Sequence, residues 1–136
     1  GALRLALAAP RGGPGAAAAA PLCDVASLWL QRAQEKSSGL RAGLLDAVPA
    51  VLDRMMESLD DGDDQFQKHA CRLVNVLGKC RELEWPQDLV HKAGSAIATV
   101  HQRHVLRALA GQAVDVDVKA FAEAALKALS ARLAPG

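Results

Sequence analysis

Tyrosine is absent from the sequence, and its 136 residues include only two phenylalanines and two tryptophans. Strands draw on aromatic and β-branched side chains, so this composition argues against a sheet-built core. Long apolar runs are missing as well. None reaches the roughly 18 residues that a membrane-spanning helix requires, and no membrane role is expected. Charge of one sign is not in excess either: 16 Lys and Arg face 15 Asp and Glu, for a net charge of +1. That balance excludes a strongly basic nucleic-acid binder, and it leaves no polybasic run for an acidic lipid surface.

Cysteine is sparse. Cys23, Cys71 and Cys80 are odd in number and fit no disulfide or zinc spacing, so they read as free thiols in a reducing, intracellular compartment, cytoplasmic or nuclear. No glycine motif precedes a strand-to-helix turn, and no serine sits in a nucleophile elbow. Hence no catalytic residue, cofactor or metal ligand is assigned, and an enzyme is not expected.

Ala and Leu dominate the apolar half of the chain. Small and straight-chain residues lose little rotamer freedom in a helix, so the fold class is all-α. Residues 1–21 are low in complexity, with two arginines, no acid and a Pro/Gly break at Pro10 to Pro14. They read as a linker or frayed helix, with a mitochondrial presequence as the minor alternative. The chain begins with Gly rather than Met, which suggests a module of a larger protein. Residues 22–136 read as a single helical domain.

Five amphipathic helices are expected there. The first runs from about Asp24 to Lys36, with Asp24 as N-cap and Trp29 on its apolar face. The second carries the strongest stripe: Leu40, Leu44, Leu45, Val48, Val51, Leu52, Met55, Met56 and Leu59. Pro49 lies inside it and predicts a kink or restart. The third shows Phe66, Ala70, Leu73, Val74, Leu77 and Cys80, ending near Gly78. The fourth opens at Pro86 and carries Leu89, Val90, Ala93, Ile97, Val100, His104 and Leu109 until Gly111 stops it. The last opens near Asp117 and buries Val118, Phe121, Ala122, Ala125, Leu126, Leu129 and Leu133. Short connections make neighbours antiparallel, in either a compact bundle or stacked hairpins.

The stretch Asp60-Asp61-Gly62-Asp63-Asp64 is the most conspicuous chemical feature. A calcium-binding EF-hand loop with Gly62 at its sixth position would place Leu59 and Lys68 where oxygen ligands belong. The stretch reads instead as a turn: an aspartate closes one helix, Gly62 takes a left-handed conformation, and Asp63 or Asp64 caps the next. His101 and His104 share a helix face, and His69 lies beside Cys71, but these mixed pairs are too scattered for a tetrahedral zinc site.

Lys92, Thr99, Arg103 and Arg107 fall along one side of the fourth helix, with His104 nearby. This stripe is either a solvated face or a shallow basic surface. Aromatic platforms for single strands are missing, which favours protein over nucleic acid as the partner. Trp85, in the connection before the fourth helix, is either a staple or an interface anchor. The candidate partner-binding residues are therefore Trp85, Lys92, Arg103, His104 and Arg107.

The segment from Val48 to Gly78 resembles a HEAT repeat. It has a proline-bearing first helix, an aspartate-bearing turn, and a second helix with Ala70 and a closing Leu77-Gly78. The resemblance implies antiparallel hairpins stacked into an α-solenoid scaffold, with partners held along one face; Gln87 to Leu133 would supply a second hairpin. The expected function is a non-catalytic protein-protein interaction module that binds a helix or peptide segment. The alternative is a nucleic-acid-associated domain that uses the basic stripe.

Overall fold

The computed structural model of the chain describes residues 27–35 and 38–133. The expectations for residues 1–21, the Asp24 cap, Cys23 and the last three residues lie outside that range. Among the described residues there are five helices and no strand: α1 over residues 27–33, α2 Ser38–Asp61, α3 Asp64–Lys79, α4 Gln87–Leu109 and α5 Val116–Ser130. They form an all-α bundle.

Both hairpin turns use the same backbone chemistry. At the end of α2, Gly62 takes φ +71° and the Asp63 N–H bonds back to the Ser58 carbonyl at 3.1 Å. At the end of α4, Gly111 takes φ +76° and the Gln112 N–H bonds back to Arg107 at 2.9 Å. Each bond spans five residues and satisfies a carbonyl that the helix terminus leaves without a partner. An aspartate then starts the next helix. Asp63 accepts from the Phe66 N–H at 3.1 Å, and Asp115 accepts from the Asp117 N–H at 2.9 Å. The aspartate-rich stretch is the turn that its residues suggested.

Helix pairing follows from these turns. α2 packs on α3 and on α4, and α5 packs on the same two helices. Contact is most extensive between α3 and α5, while α3 and α4 only graze each other. The α2–α3 hairpin therefore lies beside the α4–α5 hairpin with first helix on first and second on second. Side chains give the directions. Arg72 stacks over Phe121 at 4.9 Å, and further along Gly78 meets Ala128, so α3 and α5 run parallel. In contrast, the pairs Gln67–His104 and Asp64–Arg107 show α3 and α4 running in opposite directions. A Cβ placed on Gly78 would stand 3.2 Å from the Ala128 Cβ. The missing side chain is what lets α3 and α5 approach so closely.

The core runs through all five helices. Trp29, Leu52, Met55, Phe66, Leu73, Leu77 and Ile97 are fully buried, and each such side chain contributes about 1.5–3 kcal/mol by leaving water. α1 is anchored by Trp29 and Ala33, and the Arg41 Nε donates to the Ala33 carbonyl at 3.0 Å. The same Arg41 meets Glu82 at 2.8 Å, tying α2 to the α3–α4 connection.

Several expectations need correction. α2 is one continuous helix through Pro49 and does not restart there. Proline removes a single bond, toward Leu45, while buried Val48, Val51 and Leu52 on both sides of it hold the two halves to one core. The bounds expected near Gly78 and near Asp117 fall at Lys79 and Val116, with Asp115 as the cap of α5. Three residues of the apolar stripes stand outside the core: Met56 at 37 %, Leu133 at 44 % and Leu109 at 80 % exposed.

Leu52→Ala is expected to lower stability by about 2–5 kcal/mol, as for other buried leucines. Leu109→Ala should change it by less than about 0.5 kcal/mol. Urea unfolding of the two variants checks the contrast, and similar losses in both would contradict the placement of Leu109 outside the core.

Candidate functional site

The five residues singled out in the sequence do not form one surface. Trp85 is buried: its indole N–H donates to the Leu77 carbonyl at 3.2 Å, and the Arg132 guanidinium lies 5.7 Å from its ring centre. It closes the end of α3 as a staple. His104 is 1 % exposed and faces the core. Burial removes both from any surface contact, which corrects their assignment as partner-binding residues. Lys92 is exposed and pairs with Asp53 of α2 at 3.1 Å. Arg107 pairs with Asp64 at 3.2 Å and donates to the Ala113 carbonyl at 2.9 Å. Arg103 is exposed, and no hydrogen bond or ion pair engages it among the described residues.

His104 belongs to a buried polar chain that crosses three helices. Gln67 Nε2 donates to the Ser58 carbonyl at 3.2 Å, which leaves Gln67 Oε1 to accept. His104 Nε2, 2.7 Å away, must therefore be the donor. The network fixes the tautomer and leaves Nδ1 a buried acceptor without a partner. Desolvation pushes the His104 pKa below its ordinary value, with Asp64 pulling in the opposite direction and Arg107 adding to the fall. His69 is lowered by the same cause, burial first and then Lys68 and Arg72. Both rings are neutral at physiological pH.

The other chemically active groups do not converge. His101 reaches Glu123 of α5 at 3.0 Å, whereas His104 bonds Gln67 of α3. Burial pushes the Cys71 thiol up to about 12, so it carries no thiolate at neutral pH, and the Cys80 thiol is raised as well. No group of three metal-ligating side chains stands together among the described residues.

Two surface features remain. The first is a shallow groove between α2 and α4, floored by Leu52, Met56 and Ala96 and rimmed by Asp53, Lys92, Ser95 and Thr99. Its volume of about 230 Å³ falls below the roughly 300–1,000 Å³ of small-molecule sites. The second is the far end of α4. From the buried Ser58–Gln67–His104 chain, α2 continues three residues to Asp61 and α4 five to Leu109. At 1.5 Å per residue α4 ends about 3 Å past α2. Arg107, near that end, meets Asp64 where α3 begins. Leu106 and Leu109 stand in the last turn of α4, 52 % and 80 % exposed, and Val116 opens α5 at the same end, 72 % exposed.

Periodicity alone placed Leu109 in the core.

The histidines set an expectation for pH. Groups whose folded pKa lies below the unfolded value of about 6.5 bind protons more readily once the chain unfolds, so stability is full above that value and falls as pH drops below it. Urea unfolding should therefore give lower stability at pH 5.5 than at pH 7.5, with much of the difference lost in His104→Gln. A flat profile over that range would contradict a neutral, buried ring. In comparisons with protein-family models, curated proteins and solved structures, the chain matches none.

Proposed function

We propose that this chain is a non-catalytic protein-interaction module that holds a partner polypeptide at the uncovered end of α4. One observation carries the reading. Of the six large apolar side chains exposed among the described residues, Leu106, Leu109 and Val116 gather within eleven positions at one end of the molecule. Single exposed leucines are ordinary on protein surfaces, whereas a local group of them marks an association surface. The pairing of hairpins first on first and second on second supports the HEAT-like reading, in which such hairpins serve as scaffolds. The free thiols of Cys71 and Cys80 support a reducing compartment.

The nucleic-acid reading draws less support. Lys92 is engaged by Asp53 and Arg107 by Asp64, which leaves Arg103 as the unpaired cation of the stripe. Phosphate contacts gain affinity by releasing counterions, and a single free arginine supplies little of that.

Photo-crosslinking from position 109, together with the double variant Leu106→Ser/Leu109→Ser, tests the proposal. The expected result is a polypeptide adduct at position 109 and loss of that partner from the double variant, with helical content unchanged. A partner retained by the variant, or crosslinks confined to the α2–α4 groove, would contradict it. Binding to a nucleic acid with a steep salt dependence would favour the alternative.

A further inference from the structure

We infer that the polypeptide received at the end of α4 is a basic segment with an apolar face; this rests on the reading of that end as an interaction surface and adds the chemistry of its partner. The argument begins with where the two hairpin turns sit. Arg107 reaches both of them, bonding Asp64 at the start of α3 and the Ala113 carbonyl in the α4–α5 turn. His104 feels the charges of Asp64 and Asp115 together. Both turns therefore lie at the same end of the bundle as Leu106, Leu109 and Val116.

That end carries an excess of carboxylates. Asp60 and Asp61 finish α2, Asp63 and Asp64 start α3, and Asp115 and Asp117 start α5. Against these six carboxylates the terminal turns offer two bases, Arg107 and Lys119, with Lys68 and Arg103 further in along α3 and α4. Asp63 and Asp115 act as caps. The result is an apolar group set among carboxylates, on a chain whose overall charge is close to zero.

This arrangement discriminates between occupants. Nucleic-acid phosphates and acidic lipid headgroups meet repulsion there. A second copy of the chain, docked through the same end, would add six more carboxylates within about a Debye length. A segment bearing Lys and Arg gains attraction from the rim, and the aliphatic stems of those residues cover leucine surface while their charges stay in water.

The test titrates the native chain with three labelled helical peptides that share one leucine face and carry Lys/Arg, Gln or Glu on the other. The Lys/Arg peptide is expected to bind about tenfold or more tightly than the Glu peptide, with affinity falling as salt rises from roughly 50 to 300 mM. Asp60→Asn/Asp117→Asn should weaken it severalfold without touching either cap, and Leu109→Ser should weaken it about tenfold. Equal binding of all three peptides would overturn the charge inference while leaving the end as an interaction surface. No binding of the basic peptide, or binding that Leu109→Ser leaves unchanged, would overturn it as well. Concentration-dependent dimers abolished by Leu109→Ser would name a second copy as the occupant instead. Failure of the underlying reading is seen separately, when the Leu106→Ser/Leu109→Ser variant keeps its natural partner.

Discussion

One guanidinium holds the two hairpins in their relation to each other. Arg132, just past the end of α5, donates through Nε to the Gly78 carbonyl at 2.7 Å, through Nη1 to Leu83 at 2.7 Å, and through Nη2 to Cys80. These are carbonyls at and beyond the C-terminus of α3, where a helix leaves acceptors without partners. The planar, fixed spread of five N–H donors makes this threefold capture open to arginine and closed to lysine. The guanidinium also faces the Trp85 ring, and the Arg132 carbonyl accepts from Gln87 Nε2 at 3.0 Å as α4 begins. The end of α3, the connection to α4, the start of α4 and the end of α5 thus meet at one residue. With α5 fixed along α3, α4 is left to lie along α2.

The exposed end follows from that constraint. α4 starts where Arg132 and Gln87 place it, and its 23 residues exceed the 16 of α3 and the 15 of α5. Its last turns face α3 through His104 and Arg107 and leave Leu106 and Leu109 exposed. The same turn chemistry that ends α2 and α4 with glycine starts α3 and α5 with aspartate. Capping therefore puts Asp63 and Asp115 at the same end of the bundle as the leucines, and one set of local rules builds both the fold and the character of that end.

Much of the fold was legible because periodicity and turn residues are local signals. The stripe from Leu40 to Leu59 identified α2, and Gly62 with Asp63 identified the hinge to α3, since left-handed backbone and N-capping each demand particular residue types. The failures are those of a local reading. Leu109 keeps the helical spacing of the core, and only the extent of α2 and α3 in space decides that it lies outside. Of the kink or restart that Pro49 suggests, the restart does not occur, because buried Val48, Val51 and Leu52 hold both halves to one core. Arg132 left no signal at all, because its acceptors lie 49 to 54 positions away in sequence. The basic stripe was read correctly as a helix face, but ion pairing to Asp53 and Asp64 and the inward turn of His104 divided it.

The central claim is that second helix lies on second helix, α5 beside α3, so that α4 rests on α2. An ordinary up-and-down bundle would instead place α5 beside α2. Nuclear Overhauser contacts from the Ala128 methyl in the native chain distinguish the two most directly. The account predicts strong contacts to the α-protons of Gly78. Absence of those contacts, with the Ala128 methyl instead close to side chains of α2, would contradict it.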